Sequence, residues 1–260
     1  MPSQTLLQLS DSHLSAAPSA QLNGVNTTDS LTEVIDLASA SGAVFDAVIA
    51  TGDLSQDGSP ESYNRFLHLT RKLSATLRWL PGNHDCGTTM RSVQPNDASD
   101  ELRLGPWAVL TLDSTVAGAS HGEVGPQRLA ALDAALARLA ADPAVAHVLI
   151  AVHHNPLPNG AQWMDSIGLR DGTALLARLA AAGTVRGLVH GHIHQAFDEL
   201  VDGVRVLGSP SSCAQFAPIA TEFVIDTQQP GYRWLRLHDD GRIETAIARL
   251  PEGRFSPSDN

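Results

Sequence analysis

The sequence predicts an α/β fold in which two packed sheets are flanked by helices within one domain. Three observations predict it. Apolar runs of strand length alternate with stretches of helical periodicity from residue 6 to residue 190. Five of those runs end in short clusters of Asp, Asn and His, and an α/β sheet builds its site at the C-terminal ends of its strands. Beyond His194 the pattern changes to β-rich segments broken by Asp-Gly dipeptides, which read as hairpins.

Residues 6–9 form an apolar strand with Asp11 and His13 at its end. Residues 31–40 have helical spacing, and residues 47–50 are a buried strand followed by Asp53. Ser59-Pro60-Glu61 starts a helix, with a capping serine and a proline in the first turn. Residues 77–80 are a strand leading into Gly82-Asn83-His84-Asp85. Residues 107–112 and 145–152 are further strands, the second running into His153-His154. Gly125-Pro126 precedes the Ala-rich helix 129–141; a helix over 173–182 and a strand over 185–189 lead to His190-Gly191-His192. Asp202-Gly203 and Asp240-Gly241 are hairpin turns, so residues 197–250 are expected to complete the second sheet with mostly antiparallel strands. The expected domain spans 1–250, with 251–260 a loose C-terminal tail.

The formal net charge is −11, and Lys72 is the one lysine among 17 basic residues. A nucleic-acid footprint needs a basic face, so that class of partner is excluded. The same charge repels an anionic substrate unless bound divalent cations reverse the local sign. No apolar run reaches the length of a membrane span, and the N-terminus has no signal-peptide pattern. A cytoplasmic protein with reduced Cys86 and Cys213 is expected.

The clusters carry the chemistry. Asp11, His13, Asp53, Asn83, His153, His192 and His194 offer oxygen and imidazole ligands. Two divalent cations about 3.5–4 Å apart can hold a bridging hydroxide and both ends of an in-line displacement at phosphorus. In extended segments Asp11 and His13, and likewise His192 and His194, would share a face. Sorting by metal gives Asp11, His13, Asp53 and His194 for one ion. The other takes Asp53, Asn83, His153 and His192, with Asp53 bridging. This donor set suits Mn²⁺, Fe²⁺ or Zn²⁺ better than Mg²⁺ or Ca²⁺. His84, beside Asn83, is expected to bond a phosphoryl oxygen and protonate the leaving oxygen. Asp85 is expected to fix its tautomer. In an extended segment His153 and His154 would point oppositely, leaving His154 as a supporting or core group. His190 is expected to be structural, and His68, His121, His147 and His238 solvated or core, with His121 the candidate for lining the cleft.

These clusters resemble the calcineurin-like metallophosphoesterase superfamily, whose pattern is D-x-H, G-D, G-N-H-[D/E], H, G-H-x-H. Leu9-Ser10-Asp11-Ser12-His13-Leu14, Gly24-Val25-Asn26, Ala50-Thr51-Gly52-Asp53-Leu54-Ser55-Gln56-Asp57, Trp79-Leu80-Pro81-Gly82-Asn83-His84-Asp85 and Gly191-His192-Ile193-His194-Gln195 resemble the bacterial class III 3′,5′-cyclic AMP phosphodiesterases of the CpdA type. So do His121-Gly122-Glu123, Pro156-Leu157-Pro158, Pro210-Ser211-Ser212-Cys213-Ala214-Gln215-Phe216 and Pro230-Gly231-Tyr232-Arg233. One departure is Asn155, where the superfamily often has proline. The resemblance implies a four-layer α/β/β/α sandwich of two mixed sheets and a di-metal centre of Fe²⁺, Mn²⁺ or both, with Zn²⁺ an alternative. It also implies hydrolysis of cyclic AMP to 5′-AMP; for the assembly, monomer and homodimer are both open. His13, Asp53, Asn83, His84 and His194 are expected at the substrate. Competing expectations are a phosphodiesterase or phosphomonoesterase of broader specificity, and a non-enzymatic scaffold, which loss of ligands would favour. Cys86 is expected to be a buried, inert thiol, with activity sensitive to its oxidation as the alternative.

Overall fold

The computed structural model describes residues 3–74, 76–94 and 100–258. The outermost residues of the expected domain and tail, 1–2 and 259–260, lie outside the described residues.

From the N-terminus, β1 (Ser3–Leu9) leads through the short hairpin β2 (Gln21–Leu22) and β3 (Val25–Asn26) into α1 (Thr27–Ala40). Next come β4 (Ala47–Ala50), α2 (Pro60–Thr70), β5 (Leu77–Trp79) and α3 (Gly87–Val93). They are followed by β6 (Glu101–Leu104), β7 (Trp107–Leu112), α4 (Gly125–Ala140), β8 (His147–Val152), α5 (Gln162–Asp165), α6 (Gly172–Ala181) and β9 (Val185–His190). The remainder is β10 (Phe197–Val201), β11 (Val204–Gly208), β12 (Gln215–Phe216), β13 (Ile225–Asp226), β14 (Gly231–His238) and β15 (Ile243–Arg249).

One sheet has the order β15-β14-β1-β4-β5 and the other β10-β11-β9-β8-β7-β6. Strands β1, β4 and β5 run parallel, as do β11, β9, β8 and β7, while β14, β15, β10 and β6 add antiparallel pairings. Alternate residues face opposite sides of a strand, and the strands use both sides. Leu7, Leu9, Val48 and Ala50 pack under α1 and α2 with Ile35, Phe66 and Tyr63. Leu6, Ala47, Ile49, Leu149, Ala151 and Val189 meet between the sheets. Val148, Ile150 and Val152 pack under α4 and α6 with Leu132, Leu136, Leu175 and Leu179. The result is the four-layer α/β/β/α sandwich. Asn26 caps α1 by accepting from the Thr28 and Asp29 N–H groups, and Ser59 caps α2 through the Ser62 N–H. Among the described residues no helix is long and apolar enough to cross a membrane.

The C-terminal third differs from expectation in two ways. Residues 197–250 do not complete one sheet: β10 and β11 extend the second, whereas β14 and β15 extend the first. The reason lies in β14, whose Leu235 and Leu237 enter the core between the sheets while Tyr232 packs on the helix side. A strand apolar on both faces fits beside central β1. The described part of the expected tail is also folded back. Arg254 pairs with Glu33 of α1, the Phe255 N–H bonds Gln229 Oε1 (2.8 Å), and the Ser258 N–H bonds the Asn23 carbonyl (3.0 Å).

Candidate metal centre

The loops that follow β1 and β4 are zipped together. The Asp11 N–H donates to the Gly52 carbonyl (3.0 Å) and the His13 N–H to the Asp53 carbonyl (2.9 Å). Within the second sheet the Gly191 N–H donates to the His153 carbonyl (3.1 Å), and the His192 N–H reaches across to Asp11 Oδ2 (3.1 Å). Five of the seven candidate ligands have left-handed backbone: Asp11 (φ 53°), His13 (46°), Asp53 (50°), His192 (69°) and His194 (51°). Non-glycine residues rarely adopt this conformation, and such strain concentrates at sites the surrounding fold over-determines. The shared-face argument for Asp11-x-His13 and His192-x-His194 therefore fails in detail. These segments are turned, not extended: the first turn brings Asp11 and His13 to one group of side chains, and the second sends His192 and His194 to two neighbouring groups. Gly52 (φ +92°) is required twice, because a Cβ there would also lie 2.5 Å from His153 Nδ1. Gly191 leaves room for Ser10 and Asp11 Oδ2.

The seven side chains converge in two overlapping groups. In the first, His194 Nε2 lies 3.4 Å from Asp11 Oδ1 and 3.2 Å from His13 Nε2, and Asp53 Oδ2 is 4.0 Å from His13 Nε2. In the second, His153 Nε2 lies 3.4 Å from Asp53 Oδ2, 3.2 Å from Asn83 Oδ1 and 3.3 Å from His192 Nδ1. Apart from half-buried Asn83 all are buried. Acceptors behind the rings set the tautomers. The Nδ1–H of His153 donates to the Thr51 carbonyl (2.8 Å), that of His194 to the Ala214 carbonyl (2.7 Å), and that of His13 to Gln56 Oε1 (2.8 Å). Each ring then turns its Nε2 inward, a lone-pair donor wherever the ring is neutral. Bare nitrogens 3.2 Å apart repel unless a cation stands between them. His192 Nε2 is buried with no partner. Burial drives His13 down to about 4, against the pull of Asp53, and drives His192 well down, helped by His154 and His153. These are lone-pair donors. Burial opposes charge on His153 too, yet the Asp53 carboxylate pushes it up to about 9. Asp53 itself, despite burial, is held well below the usual carboxylate range, chiefly by His153. Two buried carboxylates demand positive charge, and this donor set fits divalent cations at both positions.

His84 is exposed over the first group, its ring edge-on to His13 at 5.1 Å. Its N–H donates to Asp53 Oδ1 (2.9 Å). Asp85 does not play the expected part. Its carboxylate accepts from the Leu54 (3.1 Å), Ser55 (2.9 Å) and Gly82 (2.9 Å) N–H groups and from the Tyr63 hydroxyl (3.0 Å), not from His84. Those donors join the loop after β4 to the loop after β5, so Asp85 holds the backbone that carries Asp53 and Asn83. Burial, then the charge of Asp53, pushes Asp85 up to about 7. The Tyr63 hydroxyl also accepts from the Cys86 N–H (2.7 Å). Tyr63→Phe is expected to cost roughly 1–3 kcal/mol, read as a lower midpoint in thermal unfolding. Asp85→Asn should cost more, since its NH₂ faces backbone donors.

His153 and His154 do not point oppositely: their rings meet edge-on at 4.8 Å. The chain has left the strand there, so both rings lie near the site. His154 is buried, and its nitrogens are engaged by Ser114 Oγ (2.7 Å) and the Ser120 carbonyl (3.3 Å), which leaves no free lone pair. Half-buried His121 neighbours it, and burial keeps His154 down at about 3. Asn155 closes its own loop, donating to the Leu157 carbonyl (2.7 Å). His190 is buried behind the site, bonded to the Gly191 carbonyl. Cys86 is half-exposed rather than buried, and hydrogen bonds from Thr88 and Thr89 bring its thiol down to about 7. Supporting groups that the sequence reading missed are Gln56, Tyr63, the Thr51 and Ala214 carbonyls, and Phe216, stacked on His194 at 3.9 Å. Gln56 and Phe216 lie inside quoted motifs; the carbonyls carry no side-chain signal.

Residues 5–196 match the family described as calcineurin-like phosphoesterase. The chain is 45% identical over 253 residues, 96% of its length and 91% of the relative's, to the 3′,5′-cyclic adenosine monophosphate phosphodiesterase CpdA of Pseudomonas aeruginosa. It is 40% identical to the CpdA of Escherichia coli K12, covering 97% of this chain and 92% of that one. In fold it is similar to a dimetal phosphatase from Danio rerio, with a TM-score of 0.66 at 17% identity, covering 96% of this chain and all of that one.

Proposed function

Because the chain belongs to the calcineurin-like phosphoesterase family, we propose that it hydrolyses 3′,5′-cyclic AMP to 5′-AMP at the site formed by the ends of β1, β4, β5, β8 and β9. The observation that carries this reading is the nearly full-length similarity to cyclic AMP phosphodiesterases, joined to overlapping trios of buried ligand atoms, among them Asp11, His13 and His194, and Asp11, Asp53 and His153, each trio within 4.8 Å. Asp11, His13, Asp53 and His194 hold one divalent cation and Asp53, Asn83, His153 and His192 the other. Fe²⁺ or Mn²⁺ is our assignment, with Zn²⁺ the alternative. Two such cations supply an activated water and neutralise phosphoryl charge. The chain does the rest. Asp53 reaches both groups and fixes their separation. Carbonyl acceptors keep the three Nε2 lone pairs turned inward. His84 bonds a phosphoryl oxygen and gives a proton to the 3′ oxygen as the P–O3′ bond breaks. The protein works as one domain with its C-terminal segment docked, in the cytoplasm, as a monomer or homodimer.

The test is turnover of cyclic AMP, cyclic GMP, 2′,3′-cyclic AMP and p-nitrophenyl esters by protein of measured metal content. We expect the highest kcat/KM on 3′,5′-cyclic AMP. Equal kcat/KM on all of them would establish a broader phosphodiesterase instead, and no turnover at full metal occupancy would leave only a scaffold.

A further inference from the structure

Beside His194 the site gives way to an aromatic surface that none of the chemistry above uses. Phe216 lies flat against the His194 ring (3.9 Å between centroids, 11° between planes). Trp163 meets Phe216 edge-on at 5.3 Å, and Phe223 meets both at 5.2 Å. Two segments present these rings: the turn around α5, and the connection between β12 and β13. They are tied by the Gln162 N–H donating to the Ala220 carbonyl (3.1 Å). Buried Ala161, Met164 and Ile193 support them from below. The upper side is open: Phe223 is 46% exposed, Val224 42% and Ile219 79%.

We propose that Trp163, Phe216 and Phe223 form the wall on which the base of the bound nucleotide stacks; this rests on the cyclic-nucleotide reading above. Position is the first argument. The phosphate must lie where His194 and His84 converge, and Phe216 is one ring's thickness from His194, so a base reaches the wall across the length of a ribose. Charge is the second. Residues 158–166 and 215–226 contain Asp165, Glu222 and Asp226 and no Lys or Arg. Such a surface repels phosphate but accepts a flat, neutral heterocycle. Chemistry is the third. Every base has a π-face, and stacking on an aromatic side chain contributes without any hydrogen-bond code. The wall thus explains how the chain holds the nucleoside part, while the ligand clusters act only on phosphorus.

Phe223 is the residue to change, because it is exposed and touches no candidate ligand. KM and kcat are measured for cyclic AMP and for base-free ribose 3′,5′-cyclic phosphate, an ester with the same 3′ leaving oxygen and no aromatic ring, with metal content and oligomeric state recorded. Phe223→Ala should raise KM for cyclic AMP by about ten-fold and leave both constants for the ester unchanged; Phe223→Tyr should restore the wild-type KM. An unchanged KM for cyclic AMP in Phe223→Ala would overturn the proposal. So would equal losses on both substrates, which mean distortion of His194, or a loss accompanied by dissociation of a dimer, which makes the wall a contact between copies. Wild-type protein that cleaves the ester but no cyclic nucleotide sinks the parent reading, and this inference with it.

Discussion

Asp53→Ala is expected to empty one cation position, weaken the other and abolish turnover. Asp53 Oδ2 is the atom common to the two groups, 3.4 Å from His153 Nε2 and 4.0 Å from His13 Nε2. Without it the second group keeps Asn83, His153 and His192, all neutral, and a divalent cation there loses its only anionic partner. The first group keeps Asp11 and two imidazoles. Metal analysis should therefore fall from about two ions per chain to one or fewer. Removing a partner one step behind a metal ligand commonly costs 10–100-fold in affinity or activity, so loss of a shared ligand should lower kcat/KM by more than about 100-fold. A second effect acts on the backbone. Asp53 Oδ1 accepts the His84 N–H at 2.9 Å, so the loop after β5 is also released. Asp53→Asn separates the two, since it retains an oxygen for that N–H while removing the charge. A variant with both ions and wild-type turnover would refute the bridging role.

The sheets and the ligand clusters were legible because their signals are local. Buried strands such as residues 47–50 are unbroken apolar runs, and the candidate ligands lie in short clusters just after such runs, with Asp53, Asn83 and His192 each following a glycine. How the ligands converge was not legible. Left-handed conformations at Asp11, His13, Asp53, His192 and His194 are imposed by hydrogen bonds between loops some 40 to 180 residues apart in sequence, and local propensity disfavours them. The misreading of Asp85 has the same origin. Adjacency to His84 suggested a pair, but four donors claim the carboxylate, three of them from two other segments and one from its own loop. The destination of β14 likewise depended on which sheet offered two apolar faces. Short elements such as α3, α5 and the β12–β13 hairpin lack a periodic run, because tertiary contacts hold them.

His84→Ala is expected to leave both cations bound and to lower kcat for cyclic AMP by about 10²–10⁴-fold, the range spanned by a positioned proton donor. The ring is exposed and stands edge-on to His13 at 5.1 Å, so its removal opens no core cavity and takes nothing from the seven candidate ligands. Its imidazole has no bond to Asp85, so the substrate itself must orient it. Leaving-group chemistry distinguishes proton transfer from charge stabilisation. The 3′ alkoxide of cyclic AMP is a strong base and needs a proton as it departs; p-nitrophenolate is a weak base and leaves without one. If His84 is the acid, His84→Ala should harm hydrolysis of cyclic AMP far more than hydrolysis of bis(p-nitrophenyl) phosphate. If its work is to bond a phosphoryl oxygen, both substrates should suffer alike, and His84→Asn, which keeps an N–H donor without acid chemistry, should recover much of the loss on each. Recovery confined to the ester is the outcome expected when both roles reside in the one ring, because an amide can stabilise developing charge but cannot protonate an alkoxide.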